Sequence, residues 1–278
     1  MYKFTTLLVF FISGFCFISI AKGKKITKII VDAGHGGKDF GAPGAFSHEK
    51  DITLAVALRL GKMIQDSMSS VSVVFTRTTD DYPSLVERHD IANQASADLF
   101  LSVHVNSTPY TYTRTLEGYK TVKRHHKNVR VPIYKSVKHH ETTRSGVETY
   151  VLGLHRIGQQ EKGMGEFDID SSARGLLNPK DPQTAIIVAQ YSEAFLKRSV
   201  KLGTKIQEQF AAQGRADLGV KQKGLEVLAG SSMPGVLVEI GFITNTEEEH
   251  YLNSEKGQFE VAQAIYRGIK AYKADVEK

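Results

Sequence analysis

Ile26-Thr27-Lys28-Ile29-Ile30-Val31-Asp32-Ala33-Gly34-His35-Gly36-Gly37 is the stretch on which the fold turns. A β-branched apolar run reaches an aspartate and then breaks into a glycine-rich turn with one histidine inside it. Continuous apolar runs of this length are the mark of a strand buried on both faces, and glycines just beyond it let the backbone bend sharply or approach a ligand. A histidine so placed sits at the carboxyl end of a strand, where open α/β sheets bind their ligands.

Outward from that strand, Asp39-Phe40-Gly41-Ala42-Pro43-Gly44 is rich in breakers and reads as a loop. Ile52, Val56, Leu60 and Met63/Ile64 recur at helical spacing, which predicts a helix from Glu49 to about Ser67 with Glu49 in its first turn. Val71 to Thr76 is a second strand. Ser84 with Glu87 three residues later is a capping box opening a helix to about Ser96. Ala97 to Val103 is a third strand, and a second histidine, His104, stands where it runs out.

Thr108 to Ser145 lacks clean apolar periodicity and reads as a surface excursion, with a short hairpin arm expected over Val129 to Val137. Gly146 to Leu152 returns to strand character, and Gly153 to Pro182 is again polar and glycine-rich. Gln183 to Ala212 predicts one long helix or two, with Ile186/Ile187, Ala194/Phe195, Leu202 and Ile206 as its apolar positions. Val220 to Leu228 is a further expected strand, and Pro234 to Phe242 a buried one with Glu239 in its apolar centre. Thr246 with Glu249 has capping-box spacing, and Phe259, Ala262, Ile265/Tyr266 and Ile269 form the expected core face of a final helix. Strands alternating with helices imply an α/β fold, a single domain around a central, mainly parallel or mixed sheet flanked by helices, with two insertions. There is no internal repeat.

The chain of 278 residues has ordinary globular composition, which argues against disorder and against a polytopic membrane protein. Residues 1–21 differ: Lys3, the apolar run Leu7 to Ile20 and the small residues Ser19 and Ala21 predict a secretory signal peptide cleaved after Ala21, the alternative being an uncleaved N-terminal anchor. Phe15 stands where a lipoprotein site at Cys16 would want a small residue. Cys16 is the one cysteine of the sequence, so residues 22–278 hold neither disulfides nor thiolate zinc sites. The expected setting is periplasmic or secreted, without a stable membrane span after cleavage and without nucleic acid as partner. Charge is local: Thr108 to Ser145 carries nine Lys or Arg against two Glu, a net of +7 where the whole chain is +6. Its paired histidines, His125-His126 and His139-His140, make a poor metal site, because adjacent histidines seldom face one ion. The basic segment reads as a solvated insertion, or as an arm for anionic glycan strands or a membrane surface.

Four residues are polar where the pattern asks otherwise: His35, Glu49, His104 and Glu239. A carboxylate inside Val-Leu-Val-Glu-Ile is costly to bury unless paired, protonated or metal-bound. Taken singly, each histidine reads as a hydrogen-bonded strand end. Together, two histidines and a glutamate are the ligands of many catalytic zinc sites, and a second glutamate can act as general base, which spells metal-assisted hydrolysis of an amide or ester.

Val31 to Ala42 resembles the opening signature of the zinc-dependent N-acetylmuramoyl-L-alanine amidases (amidase type 3, including the cell-separation enzymes). So do Glu49-Lys50-Asp51, Phe75-Thr76-Arg77, Leu85 through Arg88 to Asn93, Ala97 to Asn106, Gly146 to Tyr150 and Leu237 to Asn245, in family order over nearly the whole of 22–278. Ala33 stands where many relatives have proline. The resemblance implies a phosphorylase/hydrolase-like α/β fold and one zinc ion held by His35, Glu49 and His104, with Glu239 as the catalytic glutamate. It also implies peptidoglycan as substrate, cut between the lactyl group of N-acetylmuramic acid and L-alanine in wall remodelling or daughter-cell separation. It further implies that the 153–182 excursion is a regulatory insertion, with Glu161 or Glu166 covering the zinc until an activator protein binds. The alternatives are a zinc peptidase of related fold cutting another peptide bond, which would need a dedicated carboxylate-binding arginine, and a non-catalytic wall-binding protein, which would have lost one of the four residues.

Overall fold

The computed structural model describes residues 25–109, 111–125, 127–139, 142–153, 156 and 182–278. The segment 1–21 and both Glu161 and Glu166 lie outside the described residues. Among the described residues, no helix is long and apolar enough to cross a membrane.

Six strands form one mixed sheet: β1 (Lys28–Ala33), β2 (Ser72–Phe75), β3 (Leu99–Asn106), β6 (Val147–Leu152), β7 (Asp217–Lys223) and β8 (Gly235–Phe242). Their order is β2-β1-β3-β8-β6-β7. The run β2-β1-β3-β8 is parallel, and β6 joins β8 antiparallel, with β7 parallel to β6. A second, two-stranded sheet pairs β4 (Thr111–Arg124) with β5 (Lys127–His139).

Helices cover both faces. On one, α1 (Glu49–Ser67), α3 (Pro182–Ala212) and α6 (Glu255–Val276) pack on the sheet and on each other. Ile29, Val31, Leu101 and Val238 of the sheet meet Val56 and Leu60 of α1, Ile206 of α3 and Ile265 of α6 in this larger core. On the other face, α2 (Leu85–Gln94) and α4 (Glu226–Ala229) close a smaller core around Ile30, Phe100, Leu228 and Leu237. Helix α1 forms because Ile52, Val56, Leu60 and Ile64, all buried, fall on one stripe while Glu49 and Asp51 face the positive end of the helix dipole. Helix α2 starts on the expected capping box: Glu87 N donates to Ser84 Oγ at 3.3 Å and Ser84 N donates to Glu87 Oε2 at 2.7 Å.

The connection from β1 runs through α1 to β2 on one side, and from β2 through α2 to β3 on the other side of β1. The crevice between β1 and β3 is therefore a topological switch point, the place where such sheets bind ligands at their carboxyl ends.

Several expectations need correcting. The hairpin is not confined to Val129–Val137 but takes in all of β4 and β5, because backbone pairing runs from Thr111 opposite His139 to Arg124 opposite Lys127, a pairing that periodicity along one strand does not show. The third strand continues through His104 to Asn106, so that histidine stands on the strand and not after it. Val220 to Leu228 divides into the end of β7 and the turn of helix α4. Residues 182–212 form one helix, whose buried face is Leu202, Ile206 and Phe210, while Ile186 is exposed. Phe259 is about half exposed, at 48 %, and the core face of α6 is Val261, Ala262, Ile265, Ile269 and Tyr272. Helix α5 (Thr246–Asn253) is capped by Asn245, whose side chain accepts from Glu247 N and Glu248 N. Glu249 is drawn away from that cap because its carboxylate accepts from the amides of Ala45, Phe46 and Ser47 at 2.8 to 3.0 Å, which pins the loop leading into α1.

Candidate metal centre

Strand β1 delivers its terminus against β3: Gly34 N donates to Val103 O at 3.0 Å. A Cβ at Gly34 would lie 2.5 Å from the His104 ring, so no side chain fits there. The next residue, His35, takes a left-handed conformation (φ 59°), which swings its imidazole back over the sheet end. Gly41, at φ +66°, serves from the other side, since a Cβ there would come within 2.7 Å of both Glu49 Oε2 and the His35 ring.

His35, Glu49 and His104 converge. Glu49 Oε2 lies 3.1 Å from His35 Nε2, and Glu49 Oε1 lies 2.9 Å from His104 Nδ1. The two rings meet edge to face at 4.8 Å between centroids. Each carboxylate oxygen also accepts a backbone amide, Ala42 N at 2.8 Å and Val105 N at 2.9 Å, so the carboxylate is held at both ends. Burial by itself pushes the Glu49 carboxyl up, but the hydrogen bonds and charge of the two imidazoles prevail and hold it well below the usual carboxylate range. Burial pushes His35 down, yet Glu49 and Asp39 together raise it to about 9; His104 is raised by Glu49 against the same burial penalty. The carboxylate is thus a place that favours positive charge.

One donor atom from each of the three residues lies within 4.8 Å of the others, the one such cluster among the described residues. Two partly exposed imidazoles and one buried carboxylate fixed by backbone amides suit a divalent metal that takes nitrogen and oxygen ligands.

Glu239 stands on β8 directly beside His104 on β3, and on its other flank faces Glu148 of β6. The two glutamates live in different surroundings. Glu148 accepts from Tyr150 OH at 2.5 Å, Arg144 Nη2 at 2.7 Å, Lys221 Nζ at 3.0 Å and Asn106 Nδ2 at 3.2 Å; burial pushes it up, and these partners bring it below the ordinary value. Glu239 Oε2 is shielded from solvent and has no hydrogen-bond partner among the described residues. Burial, with the charges of Glu49 and Glu148 adding to it against His104 and Lys223, raises its carboxyl to about 7. A carboxyl poised near neutrality beside an ionised one is the arrangement in which one group can both take and return a proton.

All four residues singled out in the sequence therefore meet at the carboxyl ends of β1, β3 and β8. Others that hold them had no local signal. Asp39 Oδ2 lies 2.8 Å from His35 Nδ1, while its Oδ1 accepts from Gly41 N at 3.1 Å. Arg88 donates to Ala33 O and to His35 O, at 2.6 and 2.7 Å, and Arg77 donates to Ala33 O, Gly34 O and Lys50 O at 2.8 to 3.0 Å. Both arginines are buried, and Arg88 is also paired with Asp32 at 2.6 Å. Arg77 and Arg88 fall within the resembling segments, but nothing near them in sequence points to the turn they clamp. His125 is described at the tip of the β4–β5 hairpin, whereas His126 and His140 lie outside the described residues.

The profile of the family described as N-acetylmuramoyl-L-alanine amidase matches residues 29–271. The chain is 30% identical over 248 residues to the N-acetylmuramoyl-L-alanine amidase AmiC of Escherichia coli O6:H1, covering 89% of this chain and 53% of that one. It is 29% identical over 261 residues to the probable N-acetylmuramoyl-L-alanine amidase AmiB of Haemophilus influenzae, covering 88% and 51%. It thus spans about half the length of these curated relatives. Among solved structures, the catalytic domain of CwlV, an N-acetylmuramoyl-L-alanine amidase from Bacillus (Paenibacillus) polymyxa var. colistinus, superimposes with a TM-score of 0.57 at 26% identity, covering 90% of this chain and 99% of that domain. With the profile match running from β1 to the last helix, the chain belongs to the N-acetylmuramoyl-L-alanine amidase family.

Proposed function

We propose that this chain is a zinc-dependent amidase that hydrolyses the bond between the lactyl group of N-acetylmuramic acid and L-alanine in peptidoglycan. The reading rests on one observation above all: three metal-donor atoms within 4.8 Å of one another, with Glu239, whose Oε2 has no hydrogen-bond partner among the described residues, on the adjoining strand. In this proposal His35, Glu49 and His104 hold the zinc ion. The zinc supplies Lewis acidity, making the amide carbonyl more electrophilic and water more acidic.

The chain's own residues do the rest. Asp39 accepts a hydrogen bond from His35 Nδ1–H and so leaves Nε2 directed at Glu49. Arg88 and Arg77 fix the carbonyls of residues 33–35 and with them the left-handed turn at His35. Glu239, ionised, takes a proton from the attacking water at Oε2 and then delivers it to the departing amine of L-alanine. A positioned acid–base group of this kind contributes about 10²- to 10⁴-fold in rate. Burial chiefly raises Glu239 toward neutrality, and Glu148, kept ionised by Tyr150, Lys221 and Arg144, adds a smaller push in the same direction.

The proposed organisation is a signal peptide over 1–21 and a catalytic domain over 22–278 acting outside the cytoplasm, in wall remodelling or daughter-cell separation. The 153–182 excursion is proposed to restrain the site through Glu161 or Glu166 until an activator protein displaces it; a folded deletion protein with unchanged or lower basal hydrolysis would argue against this. The central experiment is mass spectrometry of purified sacculi after digestion. The reading expects free stem peptides beginning at L-alanine and bare glycan strands. Cuts within the peptide or the glycan would overturn it.

A further inference from the structure

The β4–β5 ribbon is the part of the molecule that the proposed chemistry leaves without a purpose. It pairs from Thr111 opposite His139 to Arg124 opposite Lys127, with a bulge at Glu117. At about 3.3 Å per residue its strands reach roughly 40 Å. Among the described residues no third strand joins it, and a two-stranded ribbon is marginal in water by itself. This one also exposes aromatic rings, with Tyr112, Tyr119 and Tyr134 at 62%, 53% and 52%.

The cross-strand register puts these three tyrosines on one face together with Leu116, Arg114 and Arg130. Arg130 lies over the Tyr119 ring at 4.7 Å. Residues 111–139 carry eight Lys or Arg against one Glu, so a partner must be anionic. The tip, Lys123-Arg124-His125-His126-Lys127-Asn128, has no apolar residue to enter a bilayer, whereas the rings lie along the length of the ribbon. Both stalks are rooted at the rim of the metal centre. Strand β3 carries His104 and continues toward β4, and the chain returns from β5 into β6, where Glu148 flanks Glu239. Thr244, just past β8, ties the roots together: its Oγ1 lies 3.1 Å from Thr108 N and its carbonyl 3.1 Å from Thr142 N.

We infer that the ribbon is a substrate-gripping arm that binds the acidic glycan–peptide strand beside the site that cuts it. The tyrosine rings offer flat apolar faces and a hydroxyl to the sugar rings. The guanidinium and ammonium groups pair with the carboxylates of the stem peptides. The inference deepens the amidase reading and names how its polymeric substrate is recognised, so the test separates binding from cleavage.

Sedimentation with purified sacculi is measured at stepped salt for the full chain bearing Glu239→Gln, which removes turnover. Two arm variants are compared with it, Tyr112→Ser/Tyr119→Ser/Tyr134→Ser and Arg114→Gln/Lys120→Gln/Lys123→Gln/Arg130→Gln. A third, in which a short Gly-Ser linker replaces residues 109–141, serves if the ribbon variants do not fold. Each is expected to bind sacculi about tenfold or more weaker, equivalent to about 1.4 kcal/mol. The charge variant is also expected to lose most of the salt dependence. With Glu239 intact, turnover of a soluble monomeric muropeptide is expected to stay within about twofold while KM on sacculi rises. Sacculus binding within twofold in all three variants would overturn the inference. So would arm-dependent binding to vesicles of phosphatidylglycerol and phosphatidylcholine without arm-dependent binding to sacculi. Arm-dependent sacculus binding in a protein that cleaves no muropeptide would uphold the arm and sink the amidase reading.

Discussion

Replacing Asp32 by asparagine tests the least visible part of the site, the buried pair beneath the His35 turn. Asp32 and Arg88 are both almost wholly out of solvent, and Arg88 Nη1 donates to Asp32 Oδ1 at 2.6 Å. The other oxygen positions are filled by Thr76 Oγ1 at 2.6 Å and Ser102 Oγ at 2.5 Å. The substitution keeps the shape and removes the charge, which leaves a guanidinium in the interior without a counter-ion. Breaking a buried pair from one side costs about 3–5 kcal/mol, a large share of the roughly 5–15 kcal/mol that holds a domain folded. At about 2–4 °C per kcal/mol for a domain of this size, Tm should fall by about 6–20 °C. Burial pushes the Asp32 carboxyl up, but Arg88 and the two hydroxyls bring it below its usual value. Its contribution is therefore complete above the unfolded-state value of about 3.9 and is lost as pH falls through the lower folded-state value. The gap between wild type and variant should be constant from about pH 5 upward and narrow in stronger acid. Thermal and urea unfolding across that range measure it. Adding Arg88→Met removes the stranded charge and should restore part of the stability, while zinc affinity falls because the His35 carbonyl loses its donor. A single variant within about 2 °C of wild type, or a double variant less stable than the single one, would refute the argument.

Glu239→Gln should retain zinc by elemental analysis and lose about 10²- to 10⁴-fold in turnover on sacculi, whereas His35→Ala should lose both. Asp39→Asn replaces the acceptor that orients His35, so zinc affinity, read by competition with a chromophoric chelator, should drop about 10- to 100-fold with little change in Tm of the metal-free protein. Zinc bound as proposed would compete with protons for the histidine nitrogens, and His35 is raised to about 9. Affinity should therefore weaken about tenfold per pH unit for each proton displaced as pH falls from 9 to 7, and titration calorimetry in buffers of different ionisation heat should show the proton release. Removing zinc with a chelator should lower Tm, by an amount equivalent to about 2.7 kcal/mol when the metal had been present at a hundred times its Kd.

Much of the architecture was legible because it is written in short periods. The apolar run Ile29–Val31, the helical stripe Ile52–Val56–Leu60–Ile64 and the Ser84–Glu87 capping box each need only neighbours in the chain to be recognised. The hairpin was legible only in part, over Val129–Val137: the Lys, Thr and Tyr around it show no apolar period, and only the pairing of one strand with the other extends the ribbon over 111–139. The cap of α5 was misread for a related reason. Glu249 has the spacing to cap Thr246, but three amides of the 45–47 loop, about two hundred residues away, hold its carboxylate more fully.

The candidate site divides along the same line. His35, Glu49, His104 and Glu239 stood out because each is a polar residue where the local pattern is apolar or tightly turned, an anomaly that sequence registers directly. What they do to one another was decided by tertiary structure. The sheet order places β3 between β1 and β8, so His104 touches Glu49 and neighbours Glu239, and burial there, with Glu49 and Glu148 adding to it, raises Glu239 to about 7. Asp39, Arg77 and Arg88 became part of the site only in three dimensions, since a hydrogen bond from Arg88 to His35 O joins residues 53 apart and leaves no trace in either one's surroundings along the chain. Burial and periodicity are properties of a segment and can be read from it. Charge pairing, hydrogen-bond satisfaction and a shifted pKa are properties of a neighbourhood in space, and folding alone assembles that neighbourhood.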